Sequence, residues 1–434
     1  MTRATGLATA VVAALVSAAA SAQSPRVVSK RSANLDFSSG VVNDAARVRI
    51  DSVLRHYTAM DIVVGASALV YEKGREAYFG VYGMADREAS HPMARNTIVQ
   101  IFSMTKPITG VALMTLYEQG KFKLDDPVAK YLPELANAKV YAGTNEDGSP
   151  KLEPPHRAMT IRDLTRHTAG FATAGDNPGV GPLLAAADPL NRSNTLAQAI
   201  AKLATVPLWF HPGEKWAYGP SVDVQARLVE KLSGEPFEQY VREHVLEPLR
   251  MHDTRYFVPE SDRARFATIY QRSDSGVLSR MPNAWDFNTK HWPLTPGSYG
   301  LTSTLDDYMR FARMLLAGGV LDGVRVLKPQ TVRLMSTSHL ADGITDRSWL
   351  PSKGHVGFGI DFAVRTRPPA SAEENSGAVG EFFWDGAAST LFWVDPANRI
   401  TAVLFVQLMP FDPVKLHKSF RDAIYGRSSG KHFE

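Results

Sequence analysis

The segment Ile101-Phe102-Ser103-Met104-Thr105-Lys106-Pro107-Ile108-Thr109-Gly110 opens a long helix. Apolar residues then recur at helical spacing up to Gln119-Gly120, which predicts an amphipathic helix that ends at the glycine. Pro107 has no backbone N–H to donate, so it fits only in the first turn of that helix. Ser103 must therefore lie in or just before the first turn.

Ser103 and Lys106 are three residues apart, so they lie on one face of this helix, one turn from each other. At the start of the helix, the Ser103 hydroxyl lies beside free backbone N–H groups and the positive end of the helix dipole. A lysine that is partly removed from water holds its proton less tightly and can help to take the serine proton. The Ser-x-x-Lys pattern therefore predicts a nucleophilic serine.

A second Ser-x-x-Lys match, Ser428 to Lys431, lies in the C-terminal tail. The same tail contains Gly426-Arg427-Ser428-Ser429-Gly430, which matches Gly-x-Ser-x-Gly. A nucleophile elbow needs a strand before the serine and a helix after it, and the tail has room for neither. We interpret residues 427–434 as a chain end without a catalytic role.

Residues 1–22 have the pattern of a secretory signal peptide. Arg3 forms a short basic region, an apolar run covers residues 7–16, and Ala20-Ser21-Ala22 offers a cleavage site. We therefore expect export to the periplasm or the medium after cleavage near Ala22, with residues 23–40 as a polar linker. No other stretch of the sequence approaches the ~20 apolar residues that a stable membrane span needs.

The composition excludes several classes of function. With no cysteine among 434 residues, the chain has no disulfide, no thiolate nucleophile and no thiolate metal site. The formal net charge of +4 is small for this length, and the basic residues are dispersed along the chain. A nucleic-acid partner is therefore not expected.

Strand patterns lie at both ends of the chain, and helical patterns lie between them. A helix over about 42–58 and a hairpin at 61–82 come first, and residues 357–364 alternate as one strand ahead of further strands and a closing helix. This order predicts an α+β fold in which one antiparallel sheet, built from both termini, is flanked by helices and carries an inserted helical domain. We expect a sheet domain and a mainly helical domain, over 41–100 with 355–426 and over 101–354.

Two further segments have the composition of site loops. Tyr218 lies on the turn-rich loop 211–221, and beside Lys106 its pKa of about 10 would be lowered by the cation, which would make it a proton acceptor. Residues 383–389 place small side chains at the end of a C-terminal strand. Small residues on a strand let a substrate approach the backbone closely.

Taken together, these motifs resemble the serine β-lactamase and penicillin-binding-protein superfamily. The resemblance covers about residues 41–425 and is closest to class C β-lactamases and family VIII carboxylesterases. It rests on five features in the expected order: Ser103-Met104-Thr105-Lys106, Leu164 to Gly170, Tyr218 after Pro212-Gly213, Gly300 to Leu305, and Trp384-Asp385-Gly386. The implied fold is the β-lactamase/transpeptidase-like one.

The resemblance also implies roles for individual residues. Ser103 would be the acylated nucleophile, and Lys106 and Tyr218 would share the role of base. The backbone N–H groups of Ser103 and Ala387 would form the oxyanion hole. The strand residues Trp384, Asp385 and Gly386 would contact the substrate, and neither a cofactor nor a metal is implied.

Two departures from the superfamily pattern bear on the substrate. Many relatives have Tyr-x-Asn, but here Pro220 takes the third position and offers no donor. Lactamases and transpeptidases carry Lys-Thr-Gly on the strand, but here Trp384-Asp385-Gly386 removes a cation and adds a carboxylate, which disfavours anionic substrates.

The sequence therefore predicts a hydrolase of small carboxylic esters. Hydrolysis or transfer at amides, lactams or D-amino-acid peptides, and a penicilloyl-type binding or sensor protein without turnover, stay open as alternatives. The oligomeric state is left undetermined.

Overall fold

The computed structural model describes residues 40–173, 175 and 177–426. The predicted signal peptide and almost all of the predicted linker lie outside the described residues, as do both SxxK residues of the C-terminal tail. Within the described part, the α-helices are α1 (Asp44–Ala59), α2 (Thr105–Glu118), α3 (Ile161–Thr165), α4 (Gly181–Ala187), α5 (Leu196–Leu203), α6 (Ser221–Ser233), α7 (Phe237–Val241), α8 (Asp286–Thr289), α9 (Leu305–Leu316), α10 (Pro329–Met335) and α11 (Leu416–Tyr425).

The strands of the described residues are mostly short. They are β1 (Gly65–Glu72), β2 (Arg75–Asp86), β3 (His91–Pro92), β4 (Val99–Gln100), β5 (Val140–Thr144), β6 (Pro150–Glu153), β7 (Tyr270–Arg272), β8 (Leu278–Arg280), β9 (Thr302–Ser303), β10 (Val320–Leu321), β11 (Val324–Arg325), β12 (Val356–Phe358), β13 (Ala363–Arg365), β14 (Phe382–Asp385), β15 (Leu391–Asp395), β16 (Ile400–Val406) and β17 (Leu408–Met409).

The main sheet joins the two ends of the chain. Its eight strands follow the order β12-β13-β14-β15-β16-β1-β2-β3. The first strand, β1, pairs antiparallel with β16, with Ala66 opposite Val406 and Glu72 opposite Ile400. This arrangement confirms the predicted antiparallel sheet built from both termini.

Helices cover both faces of this sheet. The first and last helices, α1 and α11, pack together: Arg49 Nε donates to the Ala423 carbonyl at 2.9 Å, and Tyr57 Oη donates to the Val414 carbonyl at 3.0 Å. Helix α9 packs on β15 and β16, where the Tyr308 ring lies 5.0 Å from the Phe392 ring. The sheet is therefore a buried central layer, and this explains the continuous apolar run of β16.

The sequence predicts an amphipathic helix at α2, and this prediction is wrong. The helix is buried on nearly all sides. Eleven of its fourteen residues are buried, including polar Thr105, Lys106 and Thr109. Thr109 Oγ1 donates to the Gly297 carbonyl at 2.7 Å, and the Tyr308 hydroxyl donates to the Met104 carbonyl at 2.8 Å, so the helix is enclosed by other elements. A helix enclosed in this way has no solvent-facing polar stripe, and its buried polar side chains need partners inside the protein.

Residues 357–364 do not form one strand, contrary to the prediction. They contain a tight turn between β12 and β13, in which Asp361 has a φ of +62° and Gly359 N–H donates to the Phe362 carbonyl at 2.9 Å. The two strands belong to one sheet, and the side chains of each strand alternate between the two faces of that sheet. The alternation of residue types in the sequence therefore looks the same for a hairpin as for one long strand. The domain boundaries at 100/101 and 354/355 stay a prediction.

Within residues 40–173, 175 and 177–426, no helix is both long enough and apolar enough to cross a membrane.

Candidate active site

Ser103 lies in a single 3-10 turn, Phe102–Met104, that leads directly into α2. Phe102 has a φ of +44°, in the left-handed region that residues other than glycine seldom adopt. Met104 and Thr105 are fully buried, whereas Ser103 is partly exposed. The serine is therefore the part of this turn that a small molecule can reach, and its N–H belongs to the first residues of the turn, which lack an intrahelical acceptor.

Lys106 points from α2 toward this serine. Its side-chain Nζ lies 3.2 Å from Ser103 Oγ and donates to the Ser298 carbonyl at 2.8 Å. The residue is only 3% exposed, and this burial lowers the pKa of Lys106 to about 8, although the negative charges of Asp223, Asp361 and Asp385 act in the opposite direction. Burial disfavours the charged ammonium, so a fraction of the amine is neutral near pH 7.

Asp223, in the first turn of α6, holds the segment that Lys106 contacts. Its carboxylate accepts hydrogen bonds from Ser298 N–H at 3.1 Å and from Ser298 Oγ at 2.7–2.8 Å. Burial raises the pKa of Asp223, while these hydrogen bonds and Lys106 lower it less strongly. Ser298 could not be predicted from the sequence, because it contacts Lys106 through a backbone carbonyl, which leaves no signal in the residue type.

Tyr218 lies beside Lys106, on the loop that ends at α6. Lys106 Nζ is 4.5 Å from the centre of the Tyr218 ring, and Trp384 Nε1 donates to the Tyr218 hydroxyl at 3.3 Å. Burial raises the pKa of Tyr218 above 10, and hydrogen bonds to Ser103 and Trp384 only partly offset this effect. The predicted lowering of the Tyr218 pKa by Lys106 is therefore wrong, and Tyr218 is a neutral phenol at pH 7.

The segment from Leu164 to Gly170 packs against the loop that carries Tyr218. Ala217 N–H donates to the His167 carbonyl at 3.0 Å, and the His167 ring lies 4.8 Å from the Tyr218 ring. His167 is fully buried, its ring nitrogens have no hydrogen-bond partner among the described residues, and burial lowers its pKa well below 6.5. His167 is thus a neutral packing residue.

Asp163, at the start of α3, fixes this segment. It accepts hydrogen bonds from Arg157 at 2.5 and 2.9 Å, from Arg166 at 3.0 Å and from Thr168 Oγ1 at 2.9 Å. With Thr160 it forms a capping box at the start of this helix. Burial alone would raise the pKa of Asp163, but the hydrogen bonds from Arg157 and Thr160 outweigh burial and lower it to about 2.

The end of β14 lies against the turn that carries Ser103. A side-chain carbon on Gly386 would come within 2.4 Å of the Ile101 carbonyl oxygen, so only glycine allows this approach. The next residue, Ala387, is exposed, and its N–H has no acceptor among the described residues. Gly386 is therefore a neighbour of the segment that carries Ser103, and the pairing of the Ser103 and Ala387 N–H groups as oxyanion donors stays a prediction.

The other two predicted substrate-binding residues are mostly buried. Trp384 is 1% exposed and lies between the rings of Tyr218, at 5.5 Å, and Phe358, at 5.3 Å. Its role toward the substrate stays a prediction. Pro220, which takes the third position of the Tyr-x-Asn pattern, precedes the first residue of α6, and its carbonyl accepts a hydrogen bond from the Asp223 N–H at 3.0 Å.

Asp385 is not the unpaired carboxylate that the sequence suggested. Its side chain forms a buried ion pair with Lys353, a residue from a separate segment. The side chains of Lys353 and Asp385 are only 8% and 11% exposed. This partner could not be predicted from the sequence, because Lys353 lies in a short 3-10 turn, Leu350–Lys353, with no motif around it.

One group of side chains in the described part has the composition of a metal site. Ligand atoms of His156, His211 and Glu214 lie within 4.8 Å of one another. These atoms already have partners, since His156 Nδ1 is 2.9 Å from Glu214 and His211 Nε2 is 3.0 Å from Glu153. The group is separate from the contacts of Ser103 and Lys106 described above.

Several known proteins are similar to this chain in sequence or in fold. The sequence model of the beta-lactamase family matches residues 50–425. Protein Rv1367c of Mycobacterium tuberculosis (strain H37Rv) is 34% identical over 368 residues, covering 82% of this chain and 89% of that protein. Esterase EstB of Burkholderia gladioli is 29% identical over 410 residues, covering 88% of this chain and 97% of that protein.

A solved structure agrees with this assignment. EstCE1, described as a hydrolase with promiscuous acyltransferase activity, superposes with a TM-score of 0.71 at 26% identity, covering 88% of this chain and 99% of that chain. The resemblance inferred from Ser103-Met104-Thr105-Lys106 and its companion motifs is confirmed: the chain belongs to the beta-lactamase family.

Proposed function

We propose that the protein is a serine hydrolase that cleaves carboxylic esters through an acyl-enzyme on Ser103. The observation that carries the proposal is Lys106, a buried amine 3.2 Å from Ser103 Oγ whose pKa is lowered to about 8. An amine in this position can accept the serine proton near neutral pH, which an ordinary surface lysine cannot do. Similarity to Esterase EstB supports the ester as substrate class.

In the first half-reaction, neutral Lys106 accepts the Ser103 hydroxyl proton while Oγ attacks the ester carbonyl carbon. The negative charge that moves to the carbonyl oxygen is stabilised by the N–H groups of Ser103 and Ala387. The ester C–O bond then breaks, and the departing alkoxide takes a proton from the Tyr218 hydroxyl. Protonated Lys106 returns a proton to Tyr218, so the first half-reaction ends with a neutral alcohol and an acylated Ser103.

In the second half-reaction, a water molecule attacks the acyl carbonyl and gives its proton to the Lys106–Tyr218 pair. The bond from the acyl carbon to Ser103 Oγ breaks, Oγ regains a proton from the pair, and a carboxylic acid leaves. The raised pKa of Tyr218 makes it a proton relay between Lys106 and the oxygen atoms of the substrate. Lys106 is therefore the base of the pair.

Esters fit this site better than lactams do. A lactam substrate carries a carboxylate, and the strand position that supplies a lysine in lactamases is Trp384 here. Pro220 also offers no amide to an acylamino side chain. Acyl transfer is the second candidate, supported by the similarity to EstCE1, because an alcohol can replace water in the second half-reaction without any other change.

The proposal is tested with purified protein, a series of p-nitrophenyl esters and a chromogenic cephalosporin, with intact-mass analysis after each incubation. Steady ester turnover that is lost in Ser103→Ala supports the proposal. A stable mass adduct without turnover would instead indicate a binding or sensor protein, and rapid cephalosporin loss would indicate a lactamase.

The chain offers a matched control for the serine substitution. Ser428→Ala alters the other Ser-x-x-Lys pattern and is expected to keep full ester turnover. Adding a series of alcohols to the reaction separates hydrolysis from transfer, since transfer produces a new ester at the expense of the free acid.

A further inference from the structure

The rim of the site carries two exposed aromatic side chains. Trp349 is 42% exposed and Phe411 is 45% exposed, which is unusual for residues of this size. The Trp349 ring lies 5.3 Å from the Tyr218 ring, edge-on, and 6.1 Å from the Trp384 ring. An apolar surface therefore begins at Tyr218 and continues to the solvent.

Lys353 lies between these aromatic side chains. Its Nζ is 4.6 Å from the centre of the Phe411 ring and 5.3 Å from the centres of the Trp349 and Trp384 rings. Its single hydrogen-bonded partner among the described residues is Asp385. The ammonium is thus held by one carboxylate and three aromatic faces, an environment that suits a cation removed from water.

The charge of Asp385 reaches the reacting groups. Its carboxylate is one of the charges that raise the pKa values of Lys106 and Tyr218, and it lies two residues before Ala387 in the sequence. If Lys353 were absent, this carboxylate would repel an anionic substrate. If Asp385 were neutral, Lys353 would attract one.

We propose that Trp349, Phe411 and the Lys353–Asp385 pair form a specificity subsite that selects uncharged, apolar esters over esters that carry a carboxylate. The aromatic faces contact the apolar part of the substrate, and the ion pair keeps the net charge of the rim at zero. This inference rests on the proposed ester hydrolysis. It predicts that the charge preference of the enzyme is set by two residues that do not take part in proton transfer.

The test compares two p-nitrophenyl esters of similar length, the butyrate and the monosuccinate, which differ in a terminal carboxylate. The measured quantity is the ratio of kcat/KM for butyrate to that for monosuccinate. General effects on Lys106 or on folding change both rates alike and cancel in this ratio. The wild-type ratio is expected to be well above one.

Substitutions at the ion pair should move the ratio in opposite directions. Asp385→Asn leaves a free cation and should lower the ratio by about tenfold, whereas Lys353→Met leaves a free carboxylate and should raise it. The double variant Asp385→Asn/Lys353→Met has no net charge at the rim and should return the ratio to the wild-type value. If either single variant fails to fold, the other single variant and the double variant still decide the question.

A ratio that stays within twofold of wild type in both single variants would overturn the proposal, as would a double variant that does not return to the wild-type ratio. Trp349→Ala should reduce kcat/KM for the octanoate ester more than for the acetate ester, and an equal reduction for both would remove the aromatic part of the subsite. Absence of Ser103-dependent turnover of any ester would contradict the proposed function instead.

Discussion

The lowered pKa of Lys106 leads to a quantitative prediction about the pH dependence of activity. With a pKa of about 8, roughly 10% of Lys106 is neutral at pH 7, compared with about 0.03% for a lysine with the ordinary value of 10.5. Under the proposed mechanism the neutral amine is the active form, so kcat/KM should rise about tenfold from pH 7 to pH 9 and then level off. An ordinary lysine would keep the rate rising tenfold per pH unit up to about pH 10.

The pH at which kcat/KM levels off, which appears as a bend in the pH profile, should move when one nearby charge is removed. Among the negative charges that raise the pKa of Lys106, Asp223 has the largest effect, so Asp223→Asn should lower that pKa further. The bend then moves to lower pH, and a larger fraction of the maximal rate is retained at pH 6. The assay is stopped-flow or steady-state ester hydrolysis between pH 5.5 and 10, corrected with the Ser103→Ala protein.

Asp274→Asn is the matched control, because Asp274 is exposed and is not among the charges that act on Lys106. Its profile should superpose on that of the wild type. A wild-type profile that is flat from pH 6 to 9, or that rises to pH 10 without a bend, would refute the assignment of Lys106 as the base. A uniform loss of rate in Asp223→Asn without a shift would limit Asp223 to a structural role.

Three further substitutions test separate parts of the site. Tyr218→Phe should reduce kcat/KM by ~10²–10⁴, because the proton relay is lost, and should lower the free energy of unfolding by about 1–3 kcal/mol, because Trp384 Nε1 loses its acceptor while the ring contacts persist. Gly386→Ala should reduce kcat/KM by ~10²–10³, since the new methyl group would displace the strand from the Ile101 carbonyl, 2.4 Å away, and with it the Ala387 N–H. Asp163→Ala should reduce the free energy of unfolding in urea by about 3–5 kcal/mol, because it leaves buried donors of Arg166 and others unpaired.

The Asp163 prediction has a pH signature. The pKa of Asp163 is lowered to about 2 in the folded state. Ionisation of this carboxylate therefore contributes about 2 kcal/mol to the free energy of unfolding above pH ~4, and this contribution is lost as the pH falls through about 2. Equal acid sensitivity of Asp163→Ala and wild type would contradict this reasoning.

Gly343→Ala is the control for Gly386→Ala, because a methyl group at residue 343 meets nothing within 4 Å.

Much of the fold followed from the sequence because its signals are local. The strand and helix patterns at both ends and the proline in the first turn of α2 each depend on neighbouring residues. The turn at Asp361 was missed because alternation alone does not distinguish one strand from a hairpin. The burial of α2 was missed because it depends on elements distant in the sequence.

The candidate site divides in the same way. Ser103 and Lys106 form a short motif, and their contact follows from helix geometry. The contacts that set the charges are long-range: Lys106 with Ser298 is a separation of 192 residues, and Lys353 with Asp385 is a separation of 32. The direction of the Tyr218 pKa shift could not be predicted, because burial, which the sequence does not specify, raises this pKa most, and the charges of Asp385 and Asp223 act in the same direction.

The pairing of β1 with β16 affects when this protein can fold during its synthesis. Ala66 and its partner Val406 are separated by 340 residues, so β1 has to wait for almost the whole chain. At about 5–20 residues per second, the ribosome needs roughly 17–70 s to produce that partner. During this interval one edge of an apolar hairpin is unpaired and open to association with other chains. Recombinant yield should therefore improve when added chaperones cover that edge until the last strands are made.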